Sequence, residues 1–117
     1  MNFGAHLSEV RDAVTVLDKS GISLTIADAR FAKPLDAEMI QELAKTHSIL
    51  ISIEEGSIGG FGSHVSNFLA ENGLLDGDLK FRAMFFKDKF IDQASPKDMY
   101  KAAGLDTQDI IDKVLDL

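Results

Sequence analysis

The eleven residues EEGSIGGFGSH, 54–64, gather two adjacent acids, four glycines and a Ser-His pair. Each type suggests a chemistry. Gly56, Gly59, Gly60 and Gly62 permit left-handed backbone and close approach, and the amides that open a following helix can hold an anion. Glu54 and Glu55 have the composition of an acid/base pair. Ser63 beside His64 has the residue types of a nucleophile and its base. Spacing narrows all three. The glycines do not follow G-x-G-x-x-G, no Lys-Ser/Thr pair closes a P-loop, and two glutamates repel a phosphate. Neighbours on extended backbone point to opposite sides, so Glu54 and Glu55 do not face one substrate together. Ser63 and His64 lie outside a G-x-S-x-G elbow. The competing reading is a tight crossing from strand to helix, with positive φ at Gly60 as one requirement that only glycine meets easily.

Other polar residues give less. Arg30 and Lys33 follow a strand end and are able to pair with Glu54, Glu55 or another acid; a plain surface role explains them as well. His6, His47 and His64 have no metal-ligand spacing. Lys80, Arg82, Lys87 and Lys89 interleave with aromatics in FRAMFFKDKF, a pattern that suits single-stranded nucleic acid. Asp76, Asp78, Asp88 and Asp92 flank it, which favours core aromatics with a solvated rim. A net charge of −7 argues against nucleic acid or an anionic membrane surface as partner. Cysteine is absent, which removes disulfides and thiolate chemistry and fits a cytoplasmic location. No apolar stretch is long enough to cross a membrane, and MNFGAHLSEV lacks the features of a signal peptide.

The elements that must position these residues follow from periodicity. Leu7, Val10, Val14 and Leu17 predict a helix over 8–20 that stops at Gly21. ISLTIA, 22–27, alternates as a strand. Asp36 is placed to cap a helix running to about Lys45, with Leu35 and Ile40 in staple positions. SILISI, 48–53, reads as a strand covered on both faces. A helix over 63–71 buries Val65, Phe68 and Leu69 and ends at Gly73. LKFRAMFF, 79–86, is a third strand. Ser95, Pro96 and Asp98 start a short helix that Gly104 breaks, and Thr107 caps a last one.

This alternation predicts an α/β fold with three layers, α/β/α, around a mostly parallel sheet, formed by residues 1–117 as a single domain. Only MNFG precedes the first helix, so Phe3 ends a first strand that is truncated. A part-filled sheet position predicts completion by another copy of the chain or by an upstream domain.

Three blocks in order, ADARFAKPLDAEMIQELAKTH, ISIEEGSIGGFGSHV and FIDQASPKDMYKAAGLD, resemble the C-terminal domain of the 1-deoxy-D-xylulose-5-phosphate synthases. These are thiamine-dependent enzymes of the transketolase group. The likeness runs from NFG at 2–4 almost to Leu117. It implies a transketolase C-terminal fold and a parent transferase that condenses pyruvate with glyceraldehyde 3-phosphate and releases carbon dioxide, feeding isoprenoid and thiamine synthesis. Thiamine diphosphate and magnesium would then be held by other domains. By this resemblance the chain alone has no catalytic, cofactor-binding or metal residue and binds no cofactor. Its partners are the remaining domains and a second copy in a homodimer. Arg30, Lys33, Glu54, Glu55, Gly59, Gly60, Gly62, Ser63 and His64 are its candidate interface or architectural residues. A stand-alone interaction module without enzyme activity is the alternative. One departure is FKD at 86–88 where that family has LPD: Lys87 removes a proline that fixes φ before Phe90. The other is length, since the likeness covers only the last of three domains.

Overall fold

The computed structural model describes residues 1–87 and 93–117. In chain order the elements are β1 (Asn2–Phe3), α1 (Leu7–Lys19), α2 (Ala37–Thr46), β2 (Ile49–Ser57), α3 (Phe61–Glu71), β3 (Lys80–Phe86), α4 (Pro96–Ala103) and α5 (Thr107–Leu115). The three strands lie in the order β1-β2-β3, all paired in parallel. The expected α/β architecture is therefore present, with β2 in the centre.

Alternation along β2 feeds two cores, one on each face of the sheet. Ile53 joins Ala13 and Leu17 of α1, Met84 of β3, Ala103 of α4 and Ile110 and Ile111 of α5. Leu50 joins Ile40 of α2 and Phe61, Val65 and Leu69 of α3. Local signals set the helix starts. The Asp36 carboxylate accepts from Met39 N at 3.0 Å, and Ser95 Oγ accepts from Asp98 N at 3.3 Å with Pro96 in the first helical position.

Several expectations need correction. Residues 22–27 form no strand. Their burial alternates as a strand's would, but β1 is two residues long and supplies only one parallel bridge, Asn2 with Asp28. Ile22 N donates to Leu17 O and Ala27 O accepts from Asn2 N, but among the described residues segment 23–26 has no neighbour to exchange ladder bonds with. β2 continues to Ser57, four residues past the predicted end, so EEGS belongs to the strand. α3 begins at Phe61 and not at Ser63. Phe68 is half-buried, and Phe61 is the enclosed ring of that helix. Asp106, not Thr107, caps α5, because its carboxylate accepts from Asp109 N at 2.9 Å while Asp109 accepts from Asp106 N at 3.0 Å. The expectation for the turn before Phe90 falls outside the described residues, as do Asp88, Lys89 and Asp92. No described helix is long and apolar enough to cross a membrane.

Candidate functional site

The alternation that divides the core also separates the two acids. Glu54 turns to the α3 side of β2 and Glu55 to the α4 side. Glu54 is only 2 % exposed. Its Oε2 accepts from Phe61 N at 2.8 Å and its Oε1 from Gly62 N at 2.9 Å. These are the first amides of α3, where an anion gains from both unpaired donors and the helix dipole. The anion that the helix start can hold is thus the chain's own carboxylate.

The glycines make room for it. A Cβ on Gly60 would run into Glu54 Oε2, and one on Gly62 would lie 2.8 Å from both Ala83 Cβ and Ser52 Oγ. The expected positive φ at Gly60 is not present: its φ is −85°, and Gly59 is the residue at +98°. Close approach, not backbone handedness, is what selects glycine at position 60. Ser63 Oγ accepts from Gly59 N at 2.9 Å, so this hydroxyl braces the loop. His64 points elsewhere and lines a surface depression with Lys33, Leu35 and Phe68.

On the opposite face Glu55 accepts a hydrogen bond from the Tyr100 hydroxyl. That bond, with burial and the Glu55 and Glu9 charges, pushes the phenol up to about 12. The Tyr100 ring lies against the His6 imidazole, their centroids 4.0 Å apart. His6 has no exposed surface, and neither ring nitrogen has a hydrogen-bond partner among the described residues. Burial holds its pKa below the ordinary value, against the pull of Glu55 and Glu9. Sequence reasoning missed this His6–Tyr100–Glu55 cluster. Its members come from the loop after β1, from β2 and from α4, and no spacing relates them.

Arg30 and Lys33 are exposed, and among the described residues neither forms an ion pair with Glu54 or Glu55. They flank Phe31, which is 69 % exposed; Ile58, at the end of β2, is 68 % exposed. Arg30, Phe31 and Lys33 lie in the loop that follows residue 28, and Ile58 directly follows β2. His47 pins the unpaired segment from below, with Nε2 2.8 Å from Thr25 Oγ1.

Glu54 holds the amides at the start of α3, and its charge opposes a second anion there. Among the described residues no three His, Asp or Glu side chains are placed to share a metal ion.

The family model described as "Transketolase, C-terminal domain" matches residues 1–110. A solved structure titled "Split gene transketolase, inactive beta4 tetramer" superposes with a TM-score of 0.85 at 26 % sequence identity. The superposition covers 98 % of this chain and 37 % of that one, so the chain spans little more than a third of its neighbour's length.

Proposed function

The chain belongs to the transketolase C-terminal domain family, and on that premise we propose that it is the structural and dimerisation domain of a 1-deoxy-D-xylulose-5-phosphate synthase. In this reading the whole enzyme condenses pyruvate with glyceraldehyde 3-phosphate with decarboxylation, and thiamine diphosphate and magnesium sit in its other domains. The observation that carries the reading is the Glu54 carboxylate on the Phe61 and Gly62 amides: the domain spends its anion site on its own architecture. The solved neighbour is titled as a tetramer of split transketolase subunits that is inactive, which suits a piece that assembles without turning over. Arg30, Phe31, Lys33 and Ile58 are then the surface that meets the other domains or a second copy.

The test has two parts. An antibody against this segment reports the size of the native polypeptide in source cells, where a band several times larger than 12.8 kDa is expected. The isolated chain, given pyruvate, glyceraldehyde 3-phosphate, thiamine diphosphate and magnesium, is expected to form no product. Turnover by the chain alone refutes the structural role. A native band near 12.8 kDa instead favours a stand-alone interaction module.

A further inference from the structure

His6 is a polar side chain that the fold encloses and leaves unsatisfied. It has no exposed surface, and among the described residues neither Nδ1 nor Nε2 has a hydrogen-bond partner. Burying such a group is costly, so its retention calls for a reason. The loop after β1 leads to α1 and the turn after β2 leads to α3, on opposite faces of the sheet. Adjacent parallel strands whose connections diverge in this way leave a crevice at their carboxyl ends, the place where open α/β sheets take ligands. His6 comes from the first of these loops and Glu55 from the end of β2. α4 lays Tyr100 on both: the ring lies against the imidazole, centroids 4.0 Å apart, and the hydroxyl donates to Glu55. The loop that carries His6 also approaches the carboxylate, since a Cβ on Gly4 would lie 4.0 Å from Glu55 Oε2. None of these contacts depends on what precedes Met1.

We propose that Glu55 is shared between two rival partners and makes α4 a pH-operated latch: with His6 neutral the carboxylate holds Tyr100 over the imidazole, and with His6 protonated it pairs with the imidazolium and releases Tyr100. An imidazolium carries two N–H donors, and the closed arrangement offers neither of them an acceptor. The titratable groups that face the ring are Glu9 from α1, Glu55 from β2 and Tyr100 from α4. Glu9 already accepts from Ser8 Oγ at 2.7 Å. Among the described residues Glu55 accepts only from a neutral phenol, and a charge-assisted bond to His6 is the stronger of the two. Burial holds the imidazole below the ordinary histidine value against the pull of both acids, so the exchange falls on the acid side of neutrality. Ala103 is the buried residue of α4, a small contact that leaves Tyr100 as the main hold on this helix. The latch does not rest on the identity of the parent enzyme.

The test uses the full 117-residue chain, in which Tyr100 is the only tyrosine and tryptophan is absent, so ultraviolet emission reports this one ring. A phenol bonded to a carboxylate emits weakly. Emission is expected to rise as the pH is lowered from neutral into the acid range at constant far-ultraviolet circular dichroism, with the same midpoint as the His6 ring protons in nuclear magnetic resonance. Below that midpoint the ratio of closed to open latch falls by up to about tenfold per pH unit, the limit for one proton. His6→Phe keeps an enclosed ring that does not titrate, and is expected to abolish the rise. Glu55→Gln still accepts from Tyr100 but has no charge to offer an imidazolium, and is expected to lower the His6 midpoint by about one unit or more. A rise that survives in His6→Phe, a His6 midpoint that Glu55→Gln leaves in place, or flat emission while His6 titrates overturns the latch. So does a His6 ring that stays neutral until the chain unfolds.

Discussion

Replacing Glu54 removes the acceptor of two buried amides at once. In Glu54→Ala the Phe61 and Gly62 N–H groups, now 2.8 and 2.9 Å from carboxylate oxygens, lose their partner inside the protein. Each buried donor left unpaired costs about 1–3 kcal/mol, and hydrogen bonds to charged groups lie toward the upper end. Removing the negative charge from the helix start adds about 0.3–1 kcal/mol. Because water enters part of the space and the terms overlap, the expected loss is roughly 3–5 kcal/mol, a large share of the ~5–15 kcal/mol that holds a domain together. Glu54→Gln keeps one acceptor and turns an NH2 group against the other amide, so it is expected to cost about 2–3 kcal/mol. Urea unfolding followed by far-ultraviolet circular dichroism measures both. A second comparison isolates the carboxylate. Gly60→Ala is expected to destabilise the parent chain, because its methyl collides with Glu54 Oε2. In the Glu54→Ala background that collision is gone, so the double variant is expected to lose at least about 1 kcal/mol less than the sum of the singles. Additive losses, or a Glu54→Gln variant within about 0.5 kcal/mol of the parent, would refute the assignment of this carboxylate as the ligand of the helix start.

Other perturbations probe separate parts of the structure. Gly62→Ala places a methyl 2.8 Å from Ala83 Cβ and Ser52 Oγ, and is expected to push α3 off the sheet at a cost of about 1–3 kcal/mol; an unchanged urea midpoint would contradict the close approach. Phe61→Ala is expected to cost about 3–5 kcal/mol, since that ring is enclosed and stacks on Phe3 with centroids 5.1 Å apart, and Phe68→Ala less than half of it. Equal losses in denaturant titrations would return Phe68 to the core. In the isolated chain the Met1 amino group, lowered by burial from 8.0 to about 6, binds its proton more weakly in the folded state than in the unfolded one. Stability therefore falls as pH drops from 8 through 6, by up to about 2–3 kcal/mol. An acetylated N-terminus is expected to flatten that part of the pH–stability profile, and an unaltered slope would exclude the amino group as its source.

The helices were legible because their stops and caps are local. Asp36, Ser95 and Pro96 work within one turn of the residues that they organise. The opposed directions of Glu54 and Glu55 followed from strand geometry alone. What Glu54 touches did not, since the amides it accepts from lie seven and eight residues on, and only the path of the glycine turn brings them back. The strand reading of 22–27 failed for a similar reason. Alternation shows that a segment is extended and half-covered, but a strand also needs a neighbour along its length, and β1 supplies two residues. The choice of Asp106 over Thr107 as a cap turned on a difference of one residue that reciprocal bonds with Asp109 decide.

The two cores differ in how the chain reaches them. Facing α3, the members come largely from consecutive elements, α2, β2 and α3, and assemble with short connections. Facing α1, the layer joins Ala13 and Leu17 near one end of the chain to Ile110 and Ile111 near the other. Closing that layer joins residues about ninety positions apart, a larger entropic cost than any step on the opposite face. The face formed by α2, β2 and α3 thus carries the lower closure cost. A proteolytic cut in α1 or in α5, however distant in sequence, opens the same side of the sheet.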